Sequence, residues 1–159
     1  MLLDKRIFLS FLFLLMCQAS FAQSTLQLIN KDQSIRLSEK VKILAESSER
    51  LSIEQVRKRK DQFLWHTSSN PNYGIHENGL WLHTSFSRVS DIEEWVIDIA
   101  YAHFDHADFY LVVDKEIIGA SKQGKLSKGQ LYLFPSIKVD LPLATTIDLF
   151  IRIEARNTQ

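Results

Sequence analysis

Four side chains of metal-ligating type crowd into the hexapeptide "HFDHAD": His103, Asp105, His106 and Asp108. Imidazole and carboxylate are zinc-type ligands. In a strand, however, His103 and Asp105 share one face while His106 and Asp108 share the other. A metal could then collect only two of the four without a bulge, so the segment reads as a solvated strand entry and no metal is expected. The remaining histidines, His66, His76 and His83, show no ligand spacing. "GASKQGKL", residues 119–126, has the outline of a phosphate-binding loop, but Leu126 stands where a hydroxyl must reach magnesium. No helix pattern follows whose N-terminus could hold phosphate. It reads as a polar hairpin loop. Ser, His and Asp are all present, yet no nucleophile elbow or pair of positioned carboxylates appears, so no enzyme is expected.

The aromatic residues are a stronger lead. Trp65, Tyr73 and Trp81 lie within a segment dense in Asn and Gly, which includes "NPNYGIHENGLWLHTSF" at 70–86. Aromatic faces stack on the C–H faces of sugars, and amides bond hydroxyls. The competing reading is a tryptophan buried by the preceding loop, with Tyr73 packed over it. In the strand that follows, Trp81 and His83 point to one side and Leu80, Leu82 and Phe86 to the other.

The elements that must position these residues are mostly strands. Short candidates lie at 26–29, 35–37 and 41–44. Ser52 followed by Gln55 is a capping box, opening a short helix over 53–60 with Ile53, Val56 and Lys60 at helical spacing. Beyond the tryptophan strand the period is two. Trp95, Ile97 and Ile99 share a face, as do Phe109, Leu111 and Val113, and Ile137, Val139 and Leu141. Ile147, Leu149, Ile151 and Ile153 alternate with Asp148, Phe150, Arg152 and Glu154. Such alternation predicts one buried and one wet face, as in antiparallel sheets. Turn signals at Gly119, Gly124, Gly129, Pro135 and Pro142 separate the runs. The pattern predicts an all-β sandwich or barrel.

Lys5 and Arg6 precede an apolar run at 7–17 and the small-residue site Ser20-Phe21-Ala22, the order of a secretory signal peptide cleaved between Ala22 and Gln23. The run falls well short of the ~20 residues that span a bilayer. The only cysteine, Cys17, leaves with the signal, so residues 23–159 can form no disulfide and need a conventional core. Lys plus Arg and Asp plus Glu both number 19, giving zero formal net charge and no general pull toward nucleic acid or anionic membrane. The last clean strand ends near Glu154. The chain therefore reads as a fragment of a longer gene product, or a shortened relative, lacking a final strand and any membrane helices beyond it.

The order of motifs resembles a known family. "IRLSEKVKILAESSERLSIEQVRK" is similar to its entry, with Ile43-Leu44-Ala45-Glu46 and Leu51-Ser52-Ile53-Glu54-Gln55-Val56 in the matching places. Phe63, then Asn72-Tyr73-Gly74, then Trp81-Leu82 resemble its core. "EEWVIDIAYAHFDHADFYLV", with Asp105 and Tyr110, and "DLFIRIEA", with Arg152, resemble its later strands. The family is the type-2 extracellular sensor domain of bacterial seven-transmembrane receptors with diverse intracellular signalling modules. The resemblance covers residues 26–154. It implies a periplasmic, jelly-roll-like antiparallel β-sandwich similar to carbohydrate-binding modules, with one short helix. It implies ligand sensing without catalysis or cofactor. Two positions depart from the family pattern: His83 and the 127–130 segment stand where arginines are usual, and neutral histidine does not reproduce arginine's planar fork. The expected partner is a small molecule such as a carbohydrate, with Tyr73, Trp81, His83 and Arg152 as candidate contacts and Asn72 and Gly74 as structural positions. The alternatives are a free secreted carbohydrate-binding or adhesion module and a metal-dependent enzyme using 103–108.

Overall fold

The computed structural model describes residues 25–29, 40–66, 78–101, 104–125 and 134–155. The signal and its cleavage site, the 35–37 strand, Asn72, Tyr73, Gly74, His76 and His103 lie outside the described residues.

Nine strands run in chain order: β1 (Leu26–Leu28), β2 (Lys42–Ala45), β3 (Leu64–Trp65), β4 (Leu80–Arg88), β5 (Glu94–Asp98), β6 (His106–Val113), β7 (Glu116–Gln123), β8 (Ser136–Asp140) and β9 (Thr146–Glu154). Among the described residues one α-helix, α1 (Ile53–Lys58), precedes a 3-10 turn at Lys60–Gln62. The large sheet has seven strands, ordered β3-β2-β4-β9-β6-β7, with β1 also on β4. β1 is parallel to β4 at 86–88 and β2 antiparallel to it at 80–83, so the two lie end to end along one edge of β4. The other pairings of this sheet are antiparallel. β5 and β8 form a separate antiparallel pair.

The fold is an all-β sandwich with one short helix, as the period-two runs predict. Leu80, Leu82, Phe86, Phe109, Leu111, Ile147, Leu149, Ile151 and Ile153 project from the large sheet into the main core. Trp95, Ile97, Ile99, Ile137, Val139 and Leu141 close it from the β5–β8 side. Gln123 joins the two sheets by accepting from the Ser136 amide at 2.9 Å and donating to the Ser136 carbonyl.

The second face of the large sheet is the main difference from the sequence reading. It is not wet at β9, where Phe150, Arg152 and Glu154 are all buried. A second cluster covers it: Leu51, Ile53, Val56 and Phe63 pack on Trp81, Val112 and Phe150. α1 is thus a third layer, placed by local chemistry. Ser52 Oγ accepts from the Gln55 amide at 3.3 Å, and Gln55 Oε1 accepts from the Ser52 amide at 2.8 Å. This reciprocal cap is worth about 1 kcal/mol. It starts the helix where Ile53 and Val56 both face the sheet. The helix stops at Lys58, two residues short of the expected end.

Two further expectations change. Gly119 is no turn, and the glycine-lysine segment is no loop up to residue 123, because 116–123 form β7. The turn lies earlier, at Asp114 and Lys115, both at positive φ (47° and 72°), the backbone of a two-residue type I′ hairpin. Arg57 Nη2 donates to the Lys115 carbonyl at 2.6 Å and ties α1 to that turn. Asp108 is not solvated: it is buried on the α1 face and accepts from Arg50 Nη2 at 3.0 Å. His106 shares that strand, while Asp105 precedes it and donates its amide to the Glu154 carbonyl at 2.8 Å. No group of three metal-ligating side chains occurs among the described residues.

Candidate functional site

Two polar centres sit on the α1 face of the large sheet, and the sequence candidates divide between them. The first surrounds Glu46, just past the end of β2. Its Oε1 accepts from the Leu51 amide (3.0 Å), Trp81 Nε1 (2.8 Å) and Arg152 Nε (2.9 Å). Its Oε2 accepts from the Gly79 amide (3.1 Å) and Arg152 Nη2 (2.7 Å). Arg152 Nη1 in turn donates to Glu154 at 2.8 Å. Burial favours the neutral acid at Glu46, but the bonds from Arg152, Leu51 and Trp81 outweigh it and hold the carboxyl below its usual range. Burial likewise opposes the charge on Arg152, and the two glutamates overcome it, so the guanidinium is permanently charged.

Trp81 and Arg152 are therefore brought together, with exposures of 1% and 3%. Tyr110 covers Trp81 at 5.9 Å between ring centres. This answers why a tryptophan points away from the main core: it belongs to the second core under α1. Gly79 is the close-approach point, since a Cβ there would collide with both the Arg152 guanidinium and the Glu46 carboxylate.

The second centre surrounds Asp148 on β9. It accepts from Ser85 Oγ at 2.7 Å, from Lys60 Nζ at 2.7 and 2.8 Å, and faces His83 Nε2 at 3.0 Å. Burial would raise the carboxyl, but the bonds from His83, Lys60 and Ser85 drive it well below the ordinary carboxylate range. Burial also depresses His83, more than Asp148 raises it. At neutral pH the imidazole is therefore uncharged, and Nε2 carries the proton donated to Asp148. Its ring lies against Phe150 (4.6 Å) and edge-on to Phe63 (5.5 Å). Its Nδ1 has no partner among the described residues.

Beside His83 opens a pocket of about 180 Å³, lined by Lys40, Lys42, Lys60, Trp65, Ser85 and Thr146 among others. Strand register builds it. Lys42 on β2 pairs with Trp65 on β3 and with His83 on β4, and His83 pairs with Phe150 on β9. The Lys42 ammonium lies 4.7 Å from the centre of the Trp65 ring, a cation–π contact. Trp65 is 53% exposed, so much of its ring remains open. The wall thus offers an aromatic surface, hydroxyls and three ammonium groups. Asp148, beside it, holds Lys60, His83 and Ser85, and the hydroxyl of Ser85 is a donor to it.

Of the three candidate contacts among the described residues, His83 lines this pocket, and Trp81 and Arg152 belong to the Glu46 network; Tyr73 lies outside the described residues. Lys42, Lys60, Ser85 and Asp148 were not singled out from sequence. Lys40 and Lys42 carry a faint signal, two cations at strand spacing. Glu46 is marked only as the end of the Ile43-Leu44-Ala45-Glu46 motif, and its role is hidden because its donors come from residues 51, 79, 81 and 152.

A second groove, of about 470 Å³, adjoins across the Lys60–Asp148 pair, with Arg57, Lys58 and Lys115 over Val112 and Phe150. No helix among the described residues is long and apolar enough to cross a membrane. No curated protein matches the chain. A helix-capped β-sandwich whose Trp81 and Arg152 converge on Glu46 has the residues of the motif order noted in the sequence, and the model of one family, described as 7TMR-DISM extracellular 2, matches residues 38–159. That span is most of the chain, and the protein belongs to this family of extracellular receptor domains.

Proposed function

We propose that this chain is the ligand-sensing domain of a bacterial membrane signalling receptor, and that it binds a small molecule of carbohydrate type in the pocket beside Trp65. Family membership supports an exported sensor domain. The observation that carries the ligand reading is the half-exposed Trp65 ring beside Ser85 and Thr146 in one concave site. Aromatic faces and hydroxyl partners suit a sugar ring. The volume of about 180 Å³ lies below the ~300–1,000 Å³ of sites for drug-sized ligands, so the ligand is one ring rather than an oligosaccharide. Binding favours one arrangement of the domain relative to the rest of the receptor and shifts its output.

A thermal-shift screen of monosaccharides, sugar acids and small organic acids tests this. A ligand at about one hundred times its Kd stabilises by about 2.7 kcal/mol, a rise of several degrees. Trp65→Ala, at an exposed position, is expected to leave the melting temperature of the free protein nearly unchanged and to remove the ligand-induced rise. A screen in which nothing stabilises the wild type overturns the small-molecule reading.

A further inference from the structure

We infer that the ligand of the Trp65 pocket is a sugar acid, its ring against Trp65 and its anionic group on Lys40 and Lys42. This rests on the pocket being the sensing site. The chain as a whole has no net charge, yet among the described residues the pocket wall carries Lys40, Lys42 and Lys60 and no carboxylate. Lys60 is neutralised by Asp148 through both carboxylate oxygens. Lys40 and Lys42 have no carboxylate partner among the described residues, so the local excess among those residues is two positive charges.

The fold holds this excess in place. Lys42 is in the middle of a sheet row, its strand fixed by pairing with β3 on one side and β4 on the other. Its ammonium is steered over the Trp65 ring. An anion bound there meets a preoriented cation beside an aromatic surface, which lowers the ordering cost of binding. His83 is neutral, so it adds no charge of its own, and Asp148 is engaged by Lys60, His83 and Ser85. A neutral sugar leaves both ammonium groups without a counter-charge. A carboxylate, phosphate or sulfate on the ring supplies one.

Calorimetric titration of the full chain with glucuronate, glucose and inorganic sulfate tests the inference, together with Lys40→Met and Lys42→Met, which keep the aliphatic stems. Glucuronate is expected to bind at least about tenfold more tightly than glucose, since a charge-assisted bond is stronger than a neutral one. Each methionine variant is expected to weaken glucuronate about tenfold without lowering the melting temperature. Raising the salt from low to high concentration weakens it further, and sulfate competes with it. Equal binding of glucose and glucuronate, or unchanged affinity in both variants, overturns the anionic assignment while leaving a sugar sensor. Sulfate binding without glucuronate binding overturns the sugar acid in favour of a bare anion site. Failure of both sugars to bind the wild type removes the saccharide reading itself.

Discussion

Replacing Glu46 by Ala tests the reading of the fold most severely. The carboxylate accepts five hydrogen bonds, from the Leu51 and Gly79 amides, Trp81 Nε1, and two nitrogens of Arg152. The Glu46 and Arg152 side chains are 1% and 4% exposed. Removing one partner of a buried ion pair costs about 3–5 kcal/mol. Glu154 remains on Arg152, which limits the loss, but three neutral donors are orphaned as well. Against a total stability of about 5–15 kcal/mol this is a large fraction, and it corresponds to a fall of roughly 6–20 °C in melting temperature for a chain of this size. Arg152→Ala is expected to cost a similar amount. The double variant should cost much less than the sum, with a coupling of at least about 1.5 kcal/mol in urea unfolding. Lys138→Ala, which breaks the exposed pair with Glu94, sets the scale of a surface bridge at about 0–1 kcal/mol. A Glu46→Ala loss no larger than this control, or strict additivity with Arg152→Ala, refutes the claim that this network anchors α1 and β4.

The other expectations concern single positions. His83 has a folded pKa below its ordinary 6.5, so the neutral form is favoured by folding. Its contribution is complete above pH 6.5 and is lost as pH falls from there toward the folded value. Asp148 and Glu46, depressed from 3.8 and 4.5, keep their contributions until pH falls below those values. Wild-type stability measured by urea unfolding should therefore drop as pH falls from 6.5 toward the lowered pKa of His83, with a slope of at most about 1.4 kcal/mol per unit, and His83→Gln should flatten it; an unchanged slope in the variant shows that another group is responsible. Gly79→Ala is expected to destabilise by about 2 kcal/mol or more by forcing the Glu46–Arg152 pair apart. Gly119→Ala, whose new Cβ would come no nearer than 3.4 Å to Leu111 Cδ1, is expected to be neutral or mildly stabilising. Similar melting temperatures for the two alanine variants contradict the close-approach role of Gly79.

Local signals were readable in this chain because their causes are local. The capping box placed the start of α1, since Ser52 and Gln55 satisfy each other's backbone within one turn. Alternation found β9 and the four isoleucine and leucine side chains it sends into the main core. β7 was harder to read. Its residues, Glu116–Gln123, are largely exposed, so burial imposed little pattern on them. Its hairpin turns at Asp114 and Lys115 without the glycine that usually marks a type I′ turn. Half-buried Gly119 in the middle of the strand then mimics a turn signal.

The site was less legible than the fold for a different reason. Alternation says that the two faces of a strand differ; it does not say what covers the second face. On β9 the outward positions are Asp148, Phe150, Arg152 and Glu154, a series that reads as solvent-facing. Once α1 and Phe63 lie over the sheet, each position becomes something else. Phe150 is core, Arg152 and Glu154 form an interior ion network, and Asp148, nearer the rim, holds Lys60 and His83. Register then decides their neighbours. Trp65, Lys42, His83 and Phe150 form one row across β3, β2, β4 and β9, although residues 42 and 150 are far apart in the chain. The row passes from exposed Trp65 to buried Phe150, with Lys42 and His83 between them. Charge is tolerated at Lys42 because the pocket is open there, whereas His83, one strand further in, is held neutral by burial. The same sheet row thus changes from open surface to packed interior, and the covering segment that makes the difference is anchored by Glu46 at one end and Lys60 at the other.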